Sequence, residues 1–316
     1  DKAPEQEGEG PEQEPIGEAE PQYHAEVGDR ADEPGDASDA SLPSLVPSDV
    51  AHPWLVATHI RRAESERQKP TDKVSARRRV GRHDFVVVGG GPAGSRFARR
   101  ASEAGHDVLA FEQGTVGEPL ACSGHVSTDI WEFTPEGARE RLLQNTIRGA
   151  RFHPEGFDGD AHRFHRDEQI SAVIDRVALD GELAEAARRA GAAVRENHTV
   201  VGLTERRGHV ELTVRGPDGV DHHRGRLVAG CDGPNSRVRT ETGLPDPEEL
   251  LHGVLGFSDE PDHEDFVDVH LTVPRFFAWR IPRGEAGVEY GLATPPGAAV
   301  NECFEEFTDA CGVDPD

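Results

Sequence analysis

The chain has 316 residues, enough for one two-lobed enzyme or two small domains. Asp and Glu number 60 against 34 Lys and Arg, a formal charge of −26, which argues against nucleic acid as a partner because phosphate neutralisation needs clustered cations. No apolar run reaches the roughly 18 residues of a membrane-spanning helix, and the four cysteines, Cys122, Cys231, Cys303 and Cys311, form no C-x-x-C pair, which favours a reducing cytosol over a disulfide scaffold.

The kind of cation is informative too. From residue 84 onward there are 23 Arg and no Lys. An acidic, Lys-free surface of this sort suits salt-loving organisms, where the Debye length falls to roughly 3 Å and self-repulsion is screened. GC-rich coding bias on an ordinary acidic surface is the alternative. Met is absent, even at position 1, so a fragment or a processed form is expected.

Residues 1–60 carry 15 acids and two bases among many Pro, Gly, Ser and Gln. They offer too little apolar surface to offset chain entropy and are expected to be disordered, with Trp54-Leu55-Val56 solvated. Residues 61–83 reverse the charge, with nine Lys or Arg against three acids. Such a basic segment could make a peripheral contact with anionic lipid; a plain linker is the alternative. Residues 1–83 thus read as an acidic tail followed by a basic linker.

Order begins at Asp84-Phe85-Val86-Val87-Val88-Gly89-Gly90-Gly91-Pro92-Ala93-Gly94. Phe85 to Val88 reads as a buried parallel strand that runs through a glycine turn into a helix. Gly89, Gly91 and Gly94 have the G-x-G-x-x-G spacing of a dinucleotide-binding βαβ unit. Gly89 allows the tight turn, Gly91 lets backbone approach a pyrophosphate, and Gly94 lets helix pack on strand. Pro92 opens the helix where no N–H is needed, and Ala93 follows in the first turn. That helix N-terminus presents free N–H groups and a partial positive charge to phosphates. The helix is predicted to end near Ala104, and His106 to Phe111 to form the next strand. Glu112 stands 18 residues beyond Gly94, where an acid can bond a ribose hydroxyl.

Beyond Glu112, Gly117-Glu118-Pro119 precedes Cys122-Ser123-Gly124. A short helix is predicted from Pro135 to Asn145, within otherwise irregular, His-rich chain to 165. His162 and His165 lack a third ligand at a useful distance, so no metal is expected. Ile170 to Ile174 reads as a strand, Val177 to Ala190 as a helix ended by Gly191, and Ala192–Arg195, Thr199–Thr204 and Val210–Val214 as strands. Arg226 to Cys231 is a further buried strand leading into Asp232-Gly233-Pro234-Asn235-Ser236-Arg237. Beyond 250 the pattern turns antiparallel, with strands at His252–Phe257, Val267–Val273, Phe276–Ile281 and Val288–Leu292, then a helix from Ala299 to Ala310.

The order of G-x-G-x-x-G, strand-end acid and C-D-G-P-N-S resembles the flavoproteins related to aromatic hydroxylases and geranylgeranyl reductases. Gly117-Glu118-Pro119 with Cys122-Ser123-Gly124 resembles the reductase segment that passes the flavin ring. Pro274-x-x-Phe277-x-Trp279-x-Ile281-Pro282 is similar to the reductase signature Pro-x-x-Tyr-x-Trp-x-Phe-Pro, with Phe for Tyr and Ile for Phe. A buried Cys and ordinary sheet packing are the plain readings of these two stretches. Trp279 to Pro282 is also similar to flavin halogenases, but those need a lysine, and none follows residue 73.

The resemblance implies an α/β fold, with a Rossmann-like FAD-binding domain and an antiparallel-sheet substrate domain. Residues 84–240 would be mainly the first, with 118–165 partly on the substrate side, and 241–316 an incomplete second. FAD would be bound by Gly89, Gly91, Pro92, Ala93, Gly94, Glu112, Arg176, Asp232 and Gly233. Cys122 would act near the flavin, and Phe277 and Trp279 would line an apolar substrate cavity. The family's third motif, a Gly-Asp turn opening a helix, has no counterpart in context here. The implied activity is saturation of isoprenoid double bonds of archaeal membrane lipids, with a prenylated lipid as substrate and NAD(P)H or ferredoxin as electron donor. An aromatic monooxygenase on the same fold, or a nucleotide-binding fragment without turnover, remains the alternative. The acidic, Lys-free composition also predicts a salt response: the melting temperature should be higher in 3 M than in 0.1 M KCl, and equal midpoints would leave coding bias as the explanation.

Overall fold

The computed structural model describes residues 82–314 apart from 121, 155, 157 and 158, together with the backbone of Val56–Ala57. The chain divides into two units, Asp1–Leu45 and Val46–Asp316, and everything described lies in the second. The tail and linker expected over residues 1–83 therefore fall almost wholly outside the described residues.

The run Phe85-Val86-Val87-Val88 is apolar throughout because its strand is covered on both faces, as in parallel sheets generally. Strand β2 (Arg82–Val88) lies between two parallel neighbours, β3 (Val108–Phe111) and the second half of β12 (Gly219–Gly230). Phe85 and Val87 pack with Ala98 and Ala101 of helix α1 (Pro92–Glu103) and with Ala187 of helix α3 (Arg176–Arg189). Val86 and Val88 face the other way, onto Leu109, Phe111, Leu212, Val214 and Val238. Two antiparallel strands, β10 (Thr199–Arg206) and β11 (His209–Gly216), extend the sheet beyond β12, and β9 (Ala193–Arg195) closes the far side against β3. The pair Val56–Ala57, strand β1, adds to β12 opposite Gly230 and Ala229. Strand β12 begins at Gly219, seven residues before the predicted start, because its first half pairs with β11 while its second half pairs with β2.

A three-stranded antiparallel sheet, β4 (His125–Ser127), β8 (Ser171–Ile174) and β5 (Leu143–Ile147), stands between the nucleotide-type sheet and the rest. The helix predicted from Pro135 to Asn145 is only α2 (Ala138–Leu142), and Leu143 to Ile147 instead pairs with β8. Local propensity gives way to register here: Ile147 and Val173 lie on one face of this sheet and bury themselves with Val267 and Ile281.

The antiparallel region is a six-stranded sheet in the order β13 (His252–Ser258), β16 (Val288–Thr294), β15 (Ala278–Pro282), β14 (Phe266–His270), β6 (Gly149–His153), β7 (His162–His165). Strands β6 and β7 come from the stretch expected to be irregular. Their apolar alternation is hidden because one face of β6 carries Arg151 and His153. Those side chains are satisfied by Asp268, paired through Arg151 Nε at 2.7 Å and His153 Nε2 at 2.9 Å. Helix α5 (Val300–Cys311) covers part of that same face through Phe307, against Tyr290 and Leu292. Arg275 adopts φ +61° in the turn before β15, so Phe277 precedes the strand and does not sit within it.

Asp268 is buried, and the charges of Arg151 and Arg280 hold its carboxyl below the usual range despite that burial. Removing its charge leaves the Arg151 guanidinium poorly compensated in a largely enclosed place. Asp268→Asn is expected to destabilise the fold by about 3 kcal/mol or more, read as a fall in denaturation midpoint; an unchanged midpoint would show that Glu264 alone suffices for Arg151.

Candidate functional site

Three backbones converge at the end of β2. The Gly89 N–H donates to the Phe111 carbonyl at 2.8 Å, and the Cys231 N–H donates to the Val88 carbonyl at 2.7 Å. A Cβ on Gly89, whose φ is +102°, would lie 2.1 Å from the Cys231 carbonyl oxygen. One on Gly94 would lie 1.9 Å from the Gly89 oxygen. Both glycines are thus demanded by the protein's own packing. Gly91 differs: a Cβ there would meet nothing of the protein within 4 Å, and its φ of −67° is ordinary. The protein's own packing therefore does not demand glycine at 91, and the space beside it is what a closely approaching ligand would need.

Around this point lies a cavity of about 400 Å³, lined by Gly89, Phe111, Glu112, His198, Cys231, Asp232, Gly233, Asn235 and Arg237 among others. Glu112 directly follows β3 and stretches back over the loop. Its Oε2 accepts the Gly90 N–H at 2.6 Å and its Oε1 the Gly114 N–H at 3.1 Å. Ser95 Oγ, buried in the first turn of α1, donates to the Gly90 carbonyl at 2.8 Å, so the loop is fixed from both sides. Pro92 and Ala93 open α1, both exposed, with Gly91 as N-cap and no side chain capping the turn. Free backbone N–H groups beside a loop that admits close approach are the elements of a diphosphate cradle.

Asp232 has its carboxylate turned inward. It accepts hydrogen bonds from Ser236 Oγ at 2.6 Å, Arg237 N at 2.7 Å and Val238 N at 3.1 Å, which caps helix α4 (Arg237–Thr242) and shapes the Asp-Gly turn. Gly233, at φ +76°, has open space where a Cβ would point. Burial pushes the neighbouring Cys231 thiol up to about 12, so it stays protonated. His198 and Asn235 were not singled out as site residues from sequence. Asn235 and Arg237 stand inside the conspicuous Asp-Gly-Pro-Asn-Ser-Arg run, whereas His198, in an ordinary strand connection, gave no signal.

Arg176 and Cys122 lie together, away from that cavity's lining. Arg176 opens α3, ion-pairs with Asp180 one turn on, and has the Cys122 thiol beside its guanidinium. Burial raises the Asp180 carboxyl, Arg176 opposes this, and the charge of Glu112 adds to the rise.

Trp279 belongs to β15 of the six-stranded sheet, and Phe277 lies just before that strand. Their rings meet edge to face at 5.9 Å and 67°, and Phe276 stacks on Phe277 at 4.3 Å. The indole lies against β16 where Gly291 leaves space: a Cβ there would be 2.5 Å from two indole carbons. Trp279 Nε1 donates to Oε1 of Glu289 at 2.9 Å. Glu289 is buried, and burial pushes its carboxyl up to about 7. No sequence signal marked Glu289, because a single acid in an apolar strand has no motif. His162 and His165 lie on the exposed edge strand β7. Among the described residues no helix is long and apolar enough to cross a membrane.

The FAD binding domain family pattern matches residues 82–276. Curated relatives include digeranylgeranylglycerophospholipid reductase 2 of Methanothermobacter thermautotrophicus, 30% identical over 67% of this chain and 57% of that protein. Digeranylgeranylglycerophospholipid reductase 1 of Methanopyrus kandleri is 31% identical over 70% of this chain and 62% of that protein. The chain thus spans less than two thirds of the curated relatives it matches. A geranylgeranyl bacteriochlorophyll reductase-like protein from Thermoplasma acidophilum has the same fold, with a TM-score of 0.65 at 23% identity over 72% of this chain and 62% of that one. A myxobacterial chondrochloren halogenase, at a TM-score of 0.58 and 16% identity over 72% of this chain and 58% of that one, shares the fold as well.

Two glycines of the loop should respond oppositely to substitution. Gly94→Ala should lower the melting temperature without any ligand, by the 1–3 kcal/mol or so of an overpacked contact. Gly91→Val should leave that temperature nearly unchanged yet abolish the rise produced by excess FAD. A Gly91→Val protein that still gains stability from FAD would show that the flavin lies elsewhere.

Proposed function

The chain belongs to the FAD binding domain family, and from that premise we propose that it serves an FAD-dependent reductase that saturates isoprenoid double bonds, with geranylgeranyl chains of archaeal membrane lipids as substrate. The observation that carries the reading is the open space over Gly91, set in a loop that Glu112 and Ser95 hold rigid. The curated digeranylgeranylglycerophospholipid reductases among its relatives support the choice of substrate.

When bound and reduced by the electron donor, FAD would supply a hydride to one alkene carbon while a proton reaches its neighbour. The chain's residues do the rest. The first turn of α1 takes the diphosphate, at a helix N-terminus that no side chain of the protein caps. Glu112 is placed to exchange its bond to Gly90 N–H for one to a ribose hydroxyl. Gly233, which lines the cavity beside Glu112 and Asp232, gives a further open approach. Cys122, beside the Arg176 cation, is the candidate group at the flavin ring. Phe277 and Trp279 form one wall of the prenyl slot, where positioning rests on burial, roughly 0.8 kcal/mol per CH₂, because the chain of the substrate offers no hydrogen bonds. An electron donor, NAD(P)H or ferredoxin, and contact with a membrane surface belong to the same reading.

The test is an anaerobic assay of the flavin-loaded protein with reduced flavin and a geranylgeranyl lipid, followed by mass spectrometry. Each double bond should gain two hydrogens. Trp279→Ala should slow this on the order of a hundredfold, equivalent to about 2.7 kcal/mol, while FAD binding is retained. A lipid left untouched while an aromatic acid is hydroxylated in air would replace this reading with that of a monooxygenase.

A further inference from the structure

Strand β16 is buried at all seven positions, yet one of them is an acid. Its register explains where that acid points. Trp279 of β15 pairs with Gly291 and Ile281 pairs with Glu289, so Trp279, Ile281, Glu289 and Gly291 share one face of the six-stranded sheet. Opposite them on β13, Leu255 pairs with Gly291 and Phe257 with Glu289. The carboxyl is thus diagonal to the indole, and Oε1 takes the indole N–H at 2.9 Å. Glycine at 291 removes the side chain that would otherwise lift the indole off the strand. Two constraints therefore fix one aromatic plane: a flat seat beneath it and a hydrogen bond at its edge.

Among the described residues Glu289 forms no ion pair, although a cation is near. Arg283, two residues beyond Ile281, donates its Nε to Gln144 Oε1 at 3.1 Å and lays its guanidinium over the Phe257 ring at 4.6 Å. The three-stranded sheet carries His125 on the surface it turns toward this face, bonded to Ser171 Oγ at 2.6 Å. Burial lowers the His125 imidazole from its ordinary value, which favours its neutral form. A leucine would pack as well at 289 and could not hold the indole. An acid buried without a counter-ion is expensive unless its bond is used.

We propose that Glu289 is the positioning residue for Trp279: its carboxyl sets the indole plane that forms the wall of the prenyl slot, and because a bare carboxylate in this fully buried strand must draw in water even though the indole N–H favours it, ionisation hydrates and loosens the wall. The proposal rests on reading Trp279 as that wall. Burial raises the Glu289 carboxyl from 4.5 to about 7, against the pull of the Trp279 N–H and Arg283, so the change falls near neutral pH. The sign follows from linkage. The unfolded chain releases this proton near 4.5 while the folded chain keeps it to about 7. Stability from this group is therefore complete below the lower value and is lost as pH rises through the upper one.

The experiment reads Trp279 emission, isolated as the difference between wild type and Trp279→Phe, from pH 5 to 9 without flavin or substrate. A transition near pH 7 is expected in the wild type. Glu289→Gln should abolish it, because the amide oxygen still accepts the indole N–H but cannot ionise, and should flatten the fall in melting temperature between pH 5 and 7. With a geranylgeranyl lipid, Glu289→Gln should keep the low-pH KM up to pH 9, whereas Glu289→Leu should raise KM about tenfold at every pH. A wild-type emission without a transition, or the same transition in Glu289→Gln, overturns the proposal; the Gln variant decides even if the Leu variant fails to fold. An emission transition that behaves as expected in a protein that leaves the lipid unreduced would uphold the positioning role and sink the prenyl reading instead.

Discussion

The contact on which this structure depends is that between Gly89 and the Cys231 carbonyl. The two chain segments are joined there by nothing larger than backbone, with the Cys231 N–H bonded to Val88 and Gly89 bonded to Phe111. Any side chain at Gly89 would part β2 from β12, and the Asp232 turn would move away from the glycine loop. Because the turn and the loop form opposite sides of one cavity, their separation is set by this contact and not by flexible side chains. A backbone-defined cavity is stiff, which suits a ligand whose diphosphate must meet several N–H groups at once.

Each polar residue at the rim is restrained in turn. Glu112 bonds the loop, Ser95 bonds it from beneath, and Asp232 spends its whole carboxylate on the first turn of α4. The rim is preorganised by internal hydrogen bonds, so a ligand need exchange few of them. A similar economy holds across the six-stranded sheet, where opposite faces do different jobs. One face gathers Arg151, His153, Asp268 and Arg280 into an ion-paired cluster. The other gathers Trp279, Ile281 and Val267 against the three-stranded sheet. The strict alternation of a strand keeps the charged network and the apolar wall apart although they are neighbours in sequence.

Much of the nucleotide half was legible because its signals are local. A fully apolar strand, three glycines at fixed spacing, Pro at the helix start and an acid after the next strand are each decided within a few residues, and the strands, the turn and the helix stand where they were expected. The Asp-Gly turn was legible for the same reason. The antiparallel half was read less well: Pro135–Asn145 was expected as helix and supplies β5, and the stretch to 165 was expected to be irregular and supplies β6 and β7. Arg151 and His153 conceal a strand because their partner, Asp268, is more than a hundred residues away.

What the sequence by itself determined is the glycine cradle and the family to which it belongs, since a tight turn and a close backbone approach admit only one residue type. What only the tertiary structure decided is where the remaining polar groups point. Asp232 turned inward to cap α4, Arg176 took Asp180 and Cys122 as neighbours, and Trp279 found Glu289 across a strand boundary. Each of these depends on register or on the meeting of distant segments. A side chain's residue type sets which bonds it can make, and only the folded chain sets which partner is within reach.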